Sequence, residues 1–419
     1  MPASVQDRQT ALSWSYSGHA RRLLTFALAG LVIAVVTQRP EFAAAAAPAV
    51  LLLAARRPAR PDKIGVSVRA SALRVTEDEQ ASVEIVLSGT GEFSASVLAR
   101  PAETVRLSGQ RGLAGAAVTL PFRVTRWGQR QIGTVEVVLR DRWRLLEGRV
   151  TVPLPVIACY PGPAPQESRI VLSRLLNWLG EHPARAEGSG MEFLGVREFV
   201  PGDWQRRINW PATTRRGSLQ LNTYAAERTQ SVVLIADVTT DVGEAGASSV
   251  DLVMRAAAGT ARSYLRARDR VGFISYSGSL SWLAPGSGTR QYFRIVNAML
   301  APPGLATPGL VLDRLPRAAL PPGALIMVFS PLLNRRLIEA LRDLRERGFA
   351  VLIIDVLNAE PPPGSGSLAG MARRIWRMEQ QAIRFSLREI GIPVVHWDGR
   401  QPLDEPLAPY TRRVMVTGR

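Results

Sequence analysis

Between Ser231 and Val395, short apolar runs alternate with stretches of helical spacing, and no other feature of the chain constrains its fold as tightly. Val232-Val233-Leu234-Ile235-Ala236, Leu325-Ile326-Met327-Val328-Phe329 and Val351-Leu352-Ile353-Ile354 have no polar face, which is the pattern of strands buried on both sides. Val271-Gly272-Phe273-Ile274-Ser275-Tyr276 reads as a further strand and Val394-Val395 as the last. Residues 250–266 and 335–347 carry a helical period between them. Strands of this kind need cover on both faces, and crossover helices supply it. The spacing therefore predicts an α/β domain over residues 230–400 with a doubly wound, Rossmann-like sheet. Ligands of such sheets gather outside the carboxyl ends of the strands, here at Asp237-Val238-Thr239-Thr240-Asp241.

A chain of 419 residues exceeds one compact core, and the remainder divides by pattern. After Arg60-Pro61 the sequence turns to short period-two runs, among them residues 82–87, 134–139 and 149–154, punctuated by glycine turns. They predict an all-β sandwich over 61–158. Cys159-Tyr160-Pro161-Gly162-Pro163-Ala164-Pro165 reads as an extended linker, because proline removes a donor and disfavours helix. Residues 159–229 are thus linker plus a distinctive motif block, and 401–419 a C-terminal tail.

Two apolar runs, residues 23–36 and 42–55, lie near the start with Thr37-Gln38-Arg39-Pro40-Glu41 between them. Each is short for a bilayer span of roughly 17–25 residues, although flanking arginines can snorkel and the bilayer can thin. Arg21-Arg22 and Arg56-Arg57 lie outside the pair, which places both ends of a two-helix membrane hairpin in the cytoplasm. A cleaved secretory signal and a pair of buried core helices are the rival readings. The apolar pattern resumes through Val50-Leu51-Leu52-Leu53, which favours the hairpin within residues 1–60.

The formal charge is +17 and almost all of it is arginine, Lys63 being the one lysine. The arginines are spread along the chain and no nucleic-acid module accompanies them, so the charge reads first as compositional bias and solvated helix faces, with attraction to an acidic bilayer or acidic protein surface as the lesser reading and no nucleic-acid partner expected. Cys159 is the single cysteine, and His19, His182 and His396 are scattered without metal-ligand spacing. No phosphate-binding glycine motif occurs, and catalysis is not expected.

The most specific stretch is residues 194–221, LGVREFVPGDWQRRINWPATTRRGSLQL. Pro201-Gly202 makes a turn, Asp203 is placed to cap a helical turn starting at Trp204, and Arg197, Arg206 and Arg207 bracket the carboxylate. Trp204 and Trp210 read as apolar anchors. The pattern Arg-x-Phe-x-Pro-Gly-Asp-x-x-Arg-x-Ile-Asn-Trp, followed by Arg-x-Gly-x-Leu, resembles the signature of the domain-of-unknown-function 58 family. Asn209 departs from it, where the family carries Asp. The resemblance implies a membrane hairpin, a β-domain, and a C-terminal domain like that of von Willebrand factor A. It also implies a non-enzymatic adaptor facing the cytoplasm and partnered with a MoxR-type AAA ATPase. Signature residues Arg197, Pro201, Gly202, Asp203, Arg206, Arg207, Asn209 and Trp210 would then form a docking surface, or clip the loop to its own domain. The strand-end Asp237, Thr239 and Asp241, with Thr307, resemble a degraded metal-ion-dependent adhesion site for Mg²⁺, since Asp241 replaces a hydroxyl and Pro331 stands where the family has its last Asp. An outward-facing adhesin-like binder, and less favoured an envelope-associated hydrolase, are the other classes open to the sequence.

Overall fold

The computed structural model describes residues 5–54, 59–108, 111–114, 117–170, 175, 193–200, 208–224, 230–277, 280–300, 318–360 and 369–411. They form a mixed α/β architecture in two compact units, Met1–Pro161 and Gly162–Arg419.

The first unit begins with β1 (Val5–Ala11), β2 (Ser13–Tyr16), α1 (Gly18–Thr37) and α2 (Pro40–Ala54). There follow β3 (Lys63–Ala70), β4 (Arg74–Thr76), β5 (Gln80–Ser88), β6 (Ser94–Pro101), β7 (Val105–Leu107) and β8 (Arg111–Ala114). The unit closes with β9 (Ala117–Val124), β10 (Gly128–Gln131), β11 (Gly133–Arg140), β12 (Leu146–Pro153) and β13 (Val156–Tyr160). Two five-stranded sheets, β1-β3-β5-β9-β7 and β2-β12-β11-β6-β8, enclose one core, and β10-β13-β4 make a smaller sheet. Period-two alternation produces that core: Val66, Val68, Val83 and Ile85 from one sheet meet Val97, Val135, Val137 and Leu139 from the other. Residues 5–16, which precede the two apolar runs, form strands; β1 pairs with β3 and β2 with β12. Cys159 is likewise strand rather than linker, paired with Gly128 and Val75. It has no exposed surface, and burial pushes its thiol up to about 12, which removes it as a nucleophile at neutral pH.

Helix α1 starts at Ser17, whose hydroxyl accepts the Ala20 N–H at 3.1 Å and donates to the Arg144 carbonyl. It is long and apolar enough to cross a membrane, and little of it is buried. Leu24, Phe26, Leu28, Val32, Val35 and Val36 are all exposed. Helix α2 is shorter, at 15 residues, and packs on α1 where Gly30 faces Ala46; a Cβ on Gly30 would stand 2.8 Å from that of Ala46.

The second unit contains the hairpin β14 (Phe193–Glu198) and β15 (Gln220–Tyr224) with α3 (Trp210–Arg216) between them. Then come β16 (Ser231–Asp237), α4 (Ser249–Arg266), β17 (Arg270–Tyr276), β18 (Leu280–Gly286), α5 (Gly288–Met299) and β19 (Leu325–Ser330). Helix α6 (Arg335–Glu346), β20 (Ala350–Asp355), α7 (Ala369–Glu389), β21 (Val394–His396) and α8 (Asp404–Thr411) complete it. The sheet runs β18-β17-β16-β19-β20-β21, parallel except for β18, which is antiparallel to β17. β19 and β20 are buried at every position, as their apolar runs require, and each ends in one buried polar residue, Ser330 and Asp355. The antiparallel β18 escapes sequence reading because an edge strand buries only part of its length.

Two segments read as linker and tail are built into this unit. Residues 162–170 lie along α4: Ala164 N–H donates to the Arg255 carbonyl at 3.0 Å, and the Tyr264 hydroxyl accepts Ile170 N–H at 2.9 Å. Gly259 permits that approach, since a Cβ there would stand 2.2 Å from the Ala164 carbonyl oxygen. In the tail, α8 buries Leu407, and Asp404 accepts the N–H groups of Glu167 and Ser168 at 2.9 and 2.7 Å. Burial opposes the Asp404 charge, but these donors and the Ser168 hydroxyl hold its carboxyl below the ordinary range.

Candidate functional site at the carboxyl edge of the sheet

Strand order places the topological switch at β16, because the chain leaves it toward β17 on one side and returns to β19 on the other. Asp237 ends β16 at that point with no exposed surface. Its Oδ1 accepts the Thr239 backbone N–H at 3.1 Å and the Thr239 hydroxyl at 2.6 Å. Its Oδ2 accepts the Ser330 hydroxyl, from the end of β19, at 2.6 Å. The Ser330 oxygen in turn accepts the N–H of Leu332, a residue held at φ 56°. A buried carboxylate is thus met by donors on both oxygens, as its desolvation demands. Val238 N–H donates to the Tyr276 carbonyl at 2.9 Å; burial, then the Asp237 charge, raises the Tyr276 phenol.

Asp241 is held at the start of the next helix. Its Oδ1 accepts Val250 N–H at 3.2 Å at the start of α4, where a helix N-terminus favours negative charge. The loop between is pinned to the same helix end: Ser249 Oγ donates to the Thr240 carbonyl, and Ser248 and Asp251 form a capping box. Thr307 lies outside the described residues. Of the four residues assigned to Mg²⁺ by resemblance, Asp237 and Thr239 are therefore in contact, and Ser330 joins them. All three offer oxygen, the donor type a hard divalent cation takes. Such an ion would take oxygens from Asp237, Thr239 and Ser330, whose hydroxyl protons now point to the carboxylate.

A second acidic centre ends β20. Asp355 also has no exposed surface; its Oδ1 accepts Leu357 N–H at 3.0 Å and its Oδ2 accepts Arg384 Nε at 2.6 Å. His396 Nδ1 stands 4.0 Å from the same oxygen. Burial raises the Asp355 carboxyl, and the Arg384 charge offsets only part of that. In front lies a cavity of ≈ 530 Å³ lined among others by Trp376, Arg377, Gln380, Arg384, His396 and Arg400. Sequence reading missed this centre and set His396 aside as isolated. The available signal was Asp355 itself, which ends an apolar strand just as Asp237 does.

Among the signature residues, Pro201, Gly202, Asp203, Arg206 and Arg207, with the expected cap at Trp204, lie outside the described residues. Arg197 sits in β14 opposite Leu221 and donates to the Glu198 carbonyl at 2.9 Å. Asn209 caps α3, its Oδ1 accepting Ala212 N–H at 3.0 Å, while its Nδ2 donates to Asn222 Oδ1 at 2.7 Å. A carboxylate at 209 could keep the cap, with Asn222 turning its own amide to donate in place of accepting. Trp210, expected to be pinned as an anchor, is 65% exposed.

Residues 195–371 match the family described as "Protein of unknown function DUF58". No curated protein matches the chain. Among solved structures, the chain aligns with a Bacteroides ovatus GH5 xyloglucanase in complex with a XXXG heptasaccharide, at 11% identity and a TM-score of 0.14. The alignment covers 78% of this chain and 65% of that one, and a TM-score this low carries no argument about fold or activity.

Proposed function

This chain belongs to the DUF58 family through residues 195–371, and from that premise we propose that it is a membrane-anchored, non-enzymatic binding protein. Helix α1 carries the reading: it is long and apolar, lies near the N-terminus, and exposes most of its large side chains. A core helix of a soluble protein would bury them, whereas lipid is a suitable neighbour. In this reading α1 and the shorter α2 form a membrane hairpin, and the β-sandwich and α/β domains face the cytoplasm.

The α/β unit is then a von Willebrand factor A-like module. The mixed sheet with one antiparallel edge, and the buried Asp237 at its switch point, support that assignment. Its partner is a MoxR-type AAA ATPase, which would supply the nucleotide chemistry for which this sequence carries no motif. Docking at the carboxyl edge engages the loop after Asp237, with Mg²⁺ held by Asp237 and Thr239 when present, or engages the signature residues around Arg197 and Trp210.

The test is affinity purification from native membranes of the wild type and Asp237→Ala, each with Mg²⁺ and with chelator. Co-purification of an AAA ATPase, lost on substitution and on chelation, is the expected result. Retention in all four conditions moves the contact away from Asp237, and absence in all four removes the ATPase as partner. Digestion of the α/β unit by external protease in intact cells would instead make the protein an outward-facing binder.

A further inference from the structure

Helix α7 carries two apolar faces, and among the described residues only one of them has a partner. Toward the body, Gln380 and Leu387 are buried, and Ile383 packs on the core shared with Leu341, Leu344 and Val394. On the opposite side Met371, Ile375, Met378 and Phe385 are 52–64% exposed, with Ala382 exposed among them. Their spacing of four, three, four and three residues is a heptad seam, Ile375 and Ala382 at a and Met371, Met378 and Phe385 at d. Gln380 and Leu387 then fall at f, directly opposite the seam, so the body of the unit does not obstruct it. Isolated exposed apolar residues are ordinary, but a continuous seam along a helix of 21 residues is not.

The geometry points to a second copy of this chain as the occupant, paired through α7 as a parallel two-helix coiled coil. Charge decides both the partner and the direction. Arg374 occupies g and Glu379 the next e; both are exposed, and neither has a side-chain hydrogen bond or ion pair to another described residue. A parallel in-register pair sets Arg374 of each copy against Glu379 of the other, giving two attractive contacts across the symmetry axis. The antiparallel pair that overlays the same seam instead brings Glu379 against Glu379. Ile at a with its β-branched side chain also suits a two-stranded parallel pair. Eight large side chains, each more than half exposed before pairing, give a buried area on the order of 1,000 Å², where specific interfaces begin.

Cysteine cross-linking on the full chain in mild detergent tests this directly, because Cys159 is buried and stays silent. In a parallel pair, Met371→Cys and Phe385→Cys each form disulfide-linked dimers with themselves under mild oxidation, at least tenfold above Arg400→Cys, an exposed control away from the seam. An antiparallel pair cross-links only when the two variants are mixed, which overturns the proposed direction. By light scattering the wild type is dimeric, Met378→Glu and Glu379→Arg shift it toward monomer, and Arg374→Glu with Glu379→Arg restores the dimer. That rescue excludes misfolding as the cause. A monomeric wild type without cross-links, or a dimer indifferent to Met378→Glu, overturns the proposal. So does a photo-cross-linker at position 378 that captures only a different protein in native membranes.

Discussion

Replacing Ser330 with alanine removes one oxygen, and that oxygen serves two buried groups. It donates to Asp237 Oδ2 at 2.6 Å and accepts from Leu332 N–H at 2.9 Å, with Asp237 and Ser330 both wholly buried. Loss of a hydrogen bond to a charged group costs about 1.5–3 kcal/mol, and an orphaned buried N–H costs about 1–3 kcal/mol. Together they remove on the order of 3–5 kcal/mol, a large share of the roughly 5–15 kcal/mol that holds a domain folded. Thr239→Val is the internal comparison. Asp237 Oδ1 keeps the backbone N–H of Thr239, and the partly exposed Thr239 side chain lets water reach that side, so its loss is less than half as large. Equilibrium urea unfolding of the full chain in mild detergent gives the difference, and hydrogen exchange over residues 325–332 and 232–239 assigns it to β19 and β16. A Ser330→Ala loss below about 1 kcal/mol, or one no greater than that of Thr239→Val, would refute the claim that Ser330 satisfies the Asp237 carboxylate.

Three further outcomes are expected. Gly259→Ala is destabilising by about 1–3 kcal/mol and speeds exchange of the amides of Ala164 and Ile170, because its Cβ would meet the Ala164 carbonyl; the gain of about 1 kcal/mol that alanine brings to an open helix would instead mean residues 162–170 do not lie on α4. Asp355 holds its proton to higher pH in the folded chain than the ordinary value of 3.8, so its contribution to stability falls as pH rises from there through the raised folded value. Asp355→Asn, neutral throughout, flattens the stability–pH profile in that window, and an unchanged slope rules the carboxyl out as its source. If Mg²⁺ binds at Asp237, an ion concentration a hundredfold above Kd raises stability by about 2.7 kcal/mol in the wild type and leaves Asp237→Ala unmoved; a flat wild-type titration eliminates the ion.

Local pattern determined a good deal of this protein. The all-apolar runs at 232–236, 325–329 and 351–354 became β16, β19 and β20, and the helical period at 250–266 and 335–347 became α4 and α6. Period two across 82–87 and 134–139 set the inward faces of β5 and β11. An element's own periodicity states which of its faces must be buried, and that much is readable from neighbours in sequence. It does not state against what. Only the tertiary fold brought Ser330 to Asp237 across 93 residues, set Arg384 and His396 beside Asp355, and laid residues 162–170 on α4. Asn209 needed the fold as well, since its side-chain partner lies thirteen positions away on β15. Edge strands such as β1, β2 and β18 bury too little of themselves to stand out in sequence, so their partners, and not their composition, made them strands.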